Sequence, residues 1–374
     1  MRTLPARYGP ELAAALADAL AGGPAVLPLP AGAEGGRLRA ALHPDEPVAD
    51  GVALVVPTSG STGEPKGVEL TAAALAASAA ATETRLGGPG RWLLALPVTH
   101  VAGLQVVLRA LRAGTLPVAL PALRPAPGAA AFAADFVTGT STLGGGRRFT
   151  SLVPTQLRRL LDAGPAALDA LRSYDAVLLG GAAAPPGLVD GARSAGARIV
   201  VTYGMSETCG GCVYEGVPLD GVTVDLAADG RVRLGGPVLA RGYRLRPELT
   251  AAAFAGGRFT TGDVGRLDGG RLTVLGRADD MLVTGGEKVA PAAVEAALGE
   301  HPAVAEAAVT GVADPEWGQR VVAVVVLREG GTLTLEQARE QVAARVSRVA
   351  APRELRVVDA LPLLPSGKLD RAAL

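Results

Sequence analysis

The chain has 374 residues, enough to bury a large core and to form more than one domain. Lys and Arg together number 36 and Asp and Glu 36, so the chain is formally neutral and nothing in its charge suggests a nucleic-acid or acidic-membrane partner. Aromatic residues make up only 3%, which leaves few platforms for stacking single strands.

In chain order, the start MRTLPARYGPELAAALADALAGG resembles a leader in its apolar content, but Glu11 and Asp18 interrupt it and the spacing suits an amphipathic helix. No apolar run reaches membrane-spanning length. No stable membrane insertion is expected, and a cytoplasmic protein is the default expectation.

Next, VALVVP (residues 52–57) is an apolar run of strand length, followed by TSGSTGEPKGV (58–68). Glycines, small hydroxyls and one lysine make the composition of a phosphate-holding loop. The pattern G-x-x-x-x-G-K-[ST], which opens a helix, is not met: Gly67 follows Lys66, and Pro65 biases the residue before it away from helix. GVELT alternates and AAALAASAAATETRL has helical spacing, so the expectation is strand, loop, strand, helix. Backbone N–H groups with the hydroxyls of Ser59, Ser61 and Thr62 would surround a polyphosphate, and Lys66 would add charge. A plain surface hairpin is the simpler reading, yet a turn needs no T-S-G-S-T ahead of its lysine.

Four further segments gather polar and glycine residues at strand ends. LPVTHVAGLQVVLRAL puts His100 between an apolar strand and a helix. YDAVLLGGAAAPPGLV is a buried strand ending at Gly180 and Gly181, then a proline-started helix. ARIVVTYGMSETCGG is a strand whose end carries Tyr203, Ser206 and Glu207. The stretch from GRFTTGDVGRL to GEKVAPAAVEAAL holds Asp263, Arg277, Asp279 and Lys288. Ligands of α/β sheets bind where strands end, so these ends are expected to converge on one cleft. Cys209 and Cys212 form a lone C-x-x-C without a second ligand pair or a strand-to-helix setting, and read as small, partly buried side chains beside a tight turn. The alanine-rich runs keep helical spacing and read as helices of a biased composition.

Together these segments resemble the core motifs of the adenylate-forming superfamily of acyl-CoA synthetases, luciferases and adenylation domains. T-S-G-S-T-G-E-P-K-G-V, T-Y-G-M-S-E-T, T-G-D and G-R-A-D-D-M occur in the family's order, and PLLPSGKLDRAAL with Lys368 closes the chain. The resemblance implies an α/β fold. A large N-terminal adenylate-forming domain with layered α/β sheets (1–276) would bind ATP and the acid. A small mobile α+β C-terminal domain (277–374) would follow, with the hinge at Asp279.

The implied chemistry begins with attack of a carboxylate on the α-phosphate of ATP, giving an acyl-adenylate whose leaving group is AMP. The carboxylate is already ionised, so the task is alignment and neutralisation of charge on the phosphates. By resemblance, Thr58, Ser59, Gly60, Ser61, Thr62, Gly63 and Lys66 hold the phosphates. Gly181, Ala182, Thr202, Tyr203, Gly204, Met205 and Ser206 border the AMP portion. Asp263 accepts from the ribose hydroxyls and Arg277 supports ribose or phosphate. Glu207 and Thr62 ligate Mg²⁺, and Lys368 reaches the α-phosphate and carboxylate during adenylation; these three form the implied catalytic set.

The acid would meet His100, Thr155, Gln156, Gly180, Gly181 and Ser206, with Ser151 as a further polar candidate. The loop VTGGEKVAP, with Gly285, Gly286 and Lys288, would admit the pantetheine thiol of CoA in a second domain pose. Taken singly, Asp263 also reads as a turn-former, Arg277 as a surface ion-pair partner, His100 as a hydrogen-bonded structural residue and Lys368 as a solvated tail residue; their joint order favours the functional roles.

RWLLALPVTHVAGLQ, TSLVPTQLRRLL, GGAAAPPGL and TYGMSETCGGCVYEGVPLDGV are similar to the short o-succinylbenzoate–CoA ligases of menaquinone biosynthesis. That likeness implies an aromatic acid, ATP and CoA as partners. Other aryl-CoA ligases and stand-alone adenylation enzymes that load a carrier protein share the first half-reaction and stay open. Two departures stand out. Lys288 stands where many relatives carry asparagine, and the chain is short ahead of the phosphate loop, where a homodimer interface is one way to complete the large domain.

Overall fold

The computed structural model describes residues 1–59, 64–121, 128–362 and 369–374. Among them four sheets form. The run VALVVP becomes strand Val52–Ser59, and Val52 through Val56 are all buried, as expected for a strand covered on both faces. It pairs antiparallel with Pro65–Thr71, Thr58 opposite Lys66 and Ser59 opposite Pro65. Both strands of the strand–loop–strand reading are present, and no helix starts at Lys66. Helix Ala72–Arg85 starts at Thr71, whose Oγ1 accepts the Ala74 N–H at 3.1 Å.

The N-terminal segment holds more than the single expected helix. Helix Pro10–Leu20 buries Leu12, Ala15, Leu16 and Ala19. It lies between strands Arg2–Pro5 and Val26–Leu29, which run parallel to each other and extend the sheet beyond Val52–Ser59. The chain's own N-terminal segment thus adds two strands to this sheet. Each of these four-residue strands contains a proline, which weakens its strand signature. Val26 pairs with Leu54, and Pro28, with no N–H to donate, lies beyond that point.

On the other edge, Gly242–Tyr243 pairs with Pro65–Thr71. Arg244, next in sequence and 4% exposed, donates to the carbonyls of Leu42, His43 and Glu46 at 2.6–2.8 Å and lies 3.4 Å from Glu69 Oε1. A buried guanidinium so fully bonded ties residues 42–46 to the sheet.

The second sheet has seven strands in the order Val217–Pro218, Gly210–Tyr214, Ile199–Met205, Ala176–Leu179, Arg148–Leu152, Arg91–Leu94 and Val118–Ala119. The last five are parallel. Leu152 lies opposite Leu179 and Leu179 opposite Val201, so the carboxyl ends stand side by side. Leu93, Phe136, Leu152, Leu157 and Tyr174 pack in one core cluster, and Leu94, Leu104, Val107, Phe149 and Leu178 in another.

A third, antiparallel sheet contains Thr223–Leu226, Arg231–Gly235, Phe254–Ala255, Arg258–Asp268 and Arg271–Arg277. After Arg277 the pattern changes, as the sequence led us to expect. Strands Leu282–Thr284, Glu287–Val289, Val304–Asp314, Gly318–Leu327 and Glu354–Val357 form a separate sheet with helices Pro291–Gly299 and Leu335–Arg345. Val304–Asp314 and Gly318–Leu327 are 11 and 10 residues long and form one hairpin. The chain is therefore an α/β protein with a large N-terminal domain and a small α+β C-terminal one. Among the described residues no helix is long and apolar enough to cross a membrane.

Candidate active site

The carboxyl ends of the parallel strands bring together the segments that carry His100, Thr155, Gly180 and Thr202 to Ser206. Packing here is close. A Cβ on Gly180 would lie 2.4 Å from Thr202 Oγ1 and 3.0 Å from the Thr202 carbonyl oxygen. Thr202 Oγ1 in turn donates to the Leu179 carbonyl at 3.2 Å. Thr202, Tyr203, Gly204, Met205, Ser206 and Glu207 are all half-buried, so this strand end forms a partly open floor; Gly181 and Ala182 beside it are exposed.

Three of the expected nucleotide residues meet. The Tyr203 hydroxyl donates to Asp263 Oδ2 at 2.8 Å, and Arg277 Nη1 lies 3.6 Å from Asp263 Oδ1. Asp263 and Arg277 sit opposite each other on paired strands. The Asp263 N–H bonds Thr261 Oγ1 at 3.0 Å, which fixes the backbone that presents the carboxylate. Burial, and then the neighbouring Asp263 charge, push the Tyr203 phenol well above its ordinary range, so it remains a donor. Arg277 is half exposed and also lies 3.8 Å from Asp279, an exposed pairing that contributes little stability.

A second group joins strand Pro65–Thr71 to Glu207. The Tyr243 hydroxyl donates to Glu207 Oε1 at 2.9 Å, and Lys66 Nζ stands 5.5 Å from the centroid of the same ring. Glu207 lies on a single helical turn, Ser206–Thr208, where its carbonyl accepts the Ala240 N–H at 2.8 Å. Sequence reasoning missed Tyr243, because an isolated tyrosine in ARGYRLRPELT carries no motif of its own. Among the described residues no cluster of three or more His, Cys, Asp or Glu could cage a metal ion. The single Glu207 carboxylate fits Mg²⁺, which is commonly held by one or two carboxylates plus substrate phosphates.

The acid side is built differently. Both ends of the Gln156 amide are engaged by backbone: Nε2 donates to the Ala95 carbonyl at 2.8 Å and Oε1 accepts the Val153 N–H at 3.1 Å. Gln156 thus pins the start of its helix to the neighbouring strand end, where it was expected to face substrate. Thr155 and His100 are exposed, His100 at the N-terminus of helix Val101–Arg112, and Ser151 is buried. Cys209 and Cys212, expected to be partly buried, are fully buried. Burial raises both thiols, Cys212 to about 12, so neither is a reactive thiolate. The Cys209 carbonyl accepts from Gln105 Nε2 at 2.7 Å and Ser78 Oγ at 3.2 Å, which makes this turn part of the core.

In the small domain Gly285 and Gly286 have φ of +56° and +81°, a backbone that favours glycine. A Cβ on Gly285 would sit 3.0 Å from the Trp317 ring. The two glycines and Lys288 are exposed. Thr58 Oγ1 donates to the Lys66 carbonyl at 3.4 Å. Gly60, Ser61, Thr62, Gly63 and Lys368 lie outside the described residues, as does the side chain of Ser59.

Comparisons with known proteins identify the family of the chain. A family model described as AMP-binding enzyme matches residues 12–244, and one described as AMP-binding enzyme C-terminal domain matches 293–368. The chain is 52% identical over 344 residues to a probable 2-succinylbenzoate–CoA ligase of Mycobacterium tuberculosis, covering 90% of this chain and 87% of that relative. Among solved structures, o-succinylbenzoate CoA synthetase from Bacillus subtilis in complex with the acyl-adenylate intermediate superposes with a TM-score of 0.75 at 27% identity, over 96% of this chain and 80% of that one. The same enzyme in complex with ATP and magnesium ion gives 0.73 at 28% identity, over 97% and 81%.

Proposed function

The chain belongs to the AMP-binding enzyme family, and from that premise we propose that it is an AMP-forming 2-succinylbenzoate–CoA ligase serving menaquinone biosynthesis. One observation carries the choice of acid: the relative that shares 52% of its residues over nearly the whole chain is named for that activity.

In this reading the succinyl carboxylate attacks the α-phosphate of ATP, expelling pyrophosphate, and the thiol of CoA then attacks the acyl-adenylate, expelling AMP. Asp263 accepts from the ribose hydroxyls, with Tyr203 and Arg277 holding its carboxylate in place. Lys66 and residues Thr58 to Gly63 grip the β- and γ-phosphates, beside Gly181, Ala182 and the strand end Thr202–Ser206. Glu207, with Thr62, would hold Mg²⁺, which when bound offsets charge on the phosphates. Lys368 supplies the cation at the α-phosphate.

The ring carboxylate stays charged in the pocket and needs donors, because desolvating an unpaired carboxylate costs several kcal/mol. Exposed His100 and Thr155 and the backbone N–H groups at Gly180, Gly181 and Ala182 supply them. Residues 1–276 form the ATP- and acid-binding domain. The small domain, residues 277–374, turns about Asp279 to exchange Lys368 for the Gly285–Gly286 loop, Lys288 included, when the thiol attacks. ATP and CoA place the enzyme in the cytoplasm.

The test is pyrophosphate release with 2-succinylbenzoate, benzoate, salicylate and an analogue lacking the ring carboxylate, each with and without CoA. 2-Succinylbenzoate should be preferred, CoA should accelerate turnover, and the analogue should lose about 1–3 kcal/mol in kcat/KM. Equal use of benzoate would make the chain a general aryl-CoA ligase, and indifference to CoA would make it a carrier-loading enzyme.

A further inference from the structure

We infer that Tyr243 is a positioning residue of the nucleotide site: its hydroxyl orients the Glu207 carboxylate and its ring seats the Lys66 ammonium, so one side chain sets the spacing between the two. The inference rests on the functional reading above and adds a residue to it.

The geometry makes Tyr243 suited to the task. Gly242–Tyr243 is an edge strand on the phosphate hairpin, and Tyr243 pairs with Val68, two residues along the strand from Lys66. Side chains on a strand alternate, so Lys66 and Val68 share a face. The ring is held from several directions. Its backbone N–H donates to Thr250 Oγ1 at 2.9 Å, and Phe254 packs edge-on at 5.7 Å. Arg244, its neighbour, is locked onto the carbonyls of residues 42–46. Gly242 leaves no room for a side chain, since a Cβ there would lie 2.3 Å from Thr250 Cγ2. Tyr243 itself is only 9% exposed.

Such an anchored hydroxyl constrains Glu207. By occupying Oε1 it leaves Oε2 as the oxygen turned to a ligand, and it limits rotation of the carboxylate. The ring face meanwhile attracts Lys66 Nζ at 5.5 Å, which gives the ammonium a defined resting place beside Thr58.

Two variants separate the two contacts. Tyr243→Phe removes the hydroxyl and keeps the ring; Tyr243→Leu removes both. ATP binding to the full chain is measured by calorimetry with saturating Mg²⁺ and with EDTA, alongside melting temperature and thioester formation from presynthesised acyl-adenylate. Tyr243→Phe should weaken binding about 10- to 100-fold with Mg²⁺, the usual scale of a hydrogen bond to a charged group. With EDTA it should bind as the wild type does. Tyr243→Leu should lose affinity in both arms, and thioester formation should be spared in both variants. Unchanged binding by Tyr243→Phe in the Mg²⁺ arm overturns the inference. So does equal weakening in both arms with a lowered melting temperature, which would make the contact purely structural. ATP binding is read without the acid, so an error in the acid assignment leaves this test decisive.

Discussion

The residues proposed to meet the nucleotide and those proposed to meet the acid adjoin at the seven-stranded sheet but are held in place by opposite means. On the nucleotide side, charged groups are fixed by partner side chains: Asp263 by Tyr203 and Arg277, Glu207 by Tyr243. On the acid side, shape comes from backbone and small residues. Gly180 lies against Thr202, and Gln156 spends its amide on the carbonyl of Ala95 and the N–H of Val153. A nucleotide offers charge at fixed positions and can be met by paired charges. An aromatic acid is recognised mainly by outline, and a strand end with no room for a Cβ sets an outline.

The comparison makes its largest prediction for the nucleotide side. Lys368→Ala should lower acid-dependent pyrophosphate exchange about 100- to 1000-fold, the scale of losing one preorganised charge at a developing negative centre. Presynthesised acyl-adenylate should still react with CoA, and equal loss of both half-reactions would remove Lys368 from the adenylation step. Asp263→Ala should come next. It deletes the proposed ribose acceptor and strands the Tyr203 hydroxyl, so kcat/KM for ATP should fall about 10- to 100-fold with kcat/KM for the acid less affected.

On the acid side the effect should be smaller and should appear first in stability. Gly180→Ala forces a Cβ into Thr202, and overpacking of this kind costs about 1–3 kcal/mol. Adding Thr202→Ala should recover part of the loss, since it relieves the 2.4 Å contact with Oγ1 but not the 3.0 Å contact with the carbonyl. Thermal melts of the single and double variants read both. If Gly180→Ala melts as the wild type does, the strand end is not held by this contact.

How much of this was legible in the sequence follows the same division. VALVVP announced its strand because burial on both faces demands an unbroken apolar run. Lys66, Glu207, Asp263 and Arg277 could be proposed from the sequence because charged residues among glycines and strand ends have few structural uses. RTLP and VLPL were not legible, since a four-residue strand with a proline looks like a loop until its sheet partner is present. Tyr243 was invisible for a related reason: its meaning lies in Glu207 and Lys66, which only tertiary packing brings beside it. Gln156 looked like a substrate donor because the carbonyl it bonds belongs to another strand end.

The smallest effect concerns pH. Burial, followed by a neighbouring carboxylate, raises both Tyr203 and Tyr243 above the ordinary tyrosine value of 10.0. Above that value the unfolded chain releases these protons while the fold retains them, so the unfolded state binds fewer and stability falls as pH rises. Melting temperature should therefore drop above pH 10, and Tyr203→Phe should drop less steeply. Parallel curves would mean that Tyr203 is not the buried donor described.

The most direct measurement follows the oxygen atoms. 2-Succinylbenzoate labelled with heavy oxygen in its succinyl carboxylate alone is turned over with ATP, Mg²⁺ and CoA, and the nucleotide product is analysed by mass spectrometry. If that carboxylate attacks the α-phosphate, one labelled oxygen leaves with AMP when the thiol displaces it. Label in inorganic phosphate, label in AMP only when the ring carboxylate carries it, or thioester formed with unlabelled AMP would contradict the account.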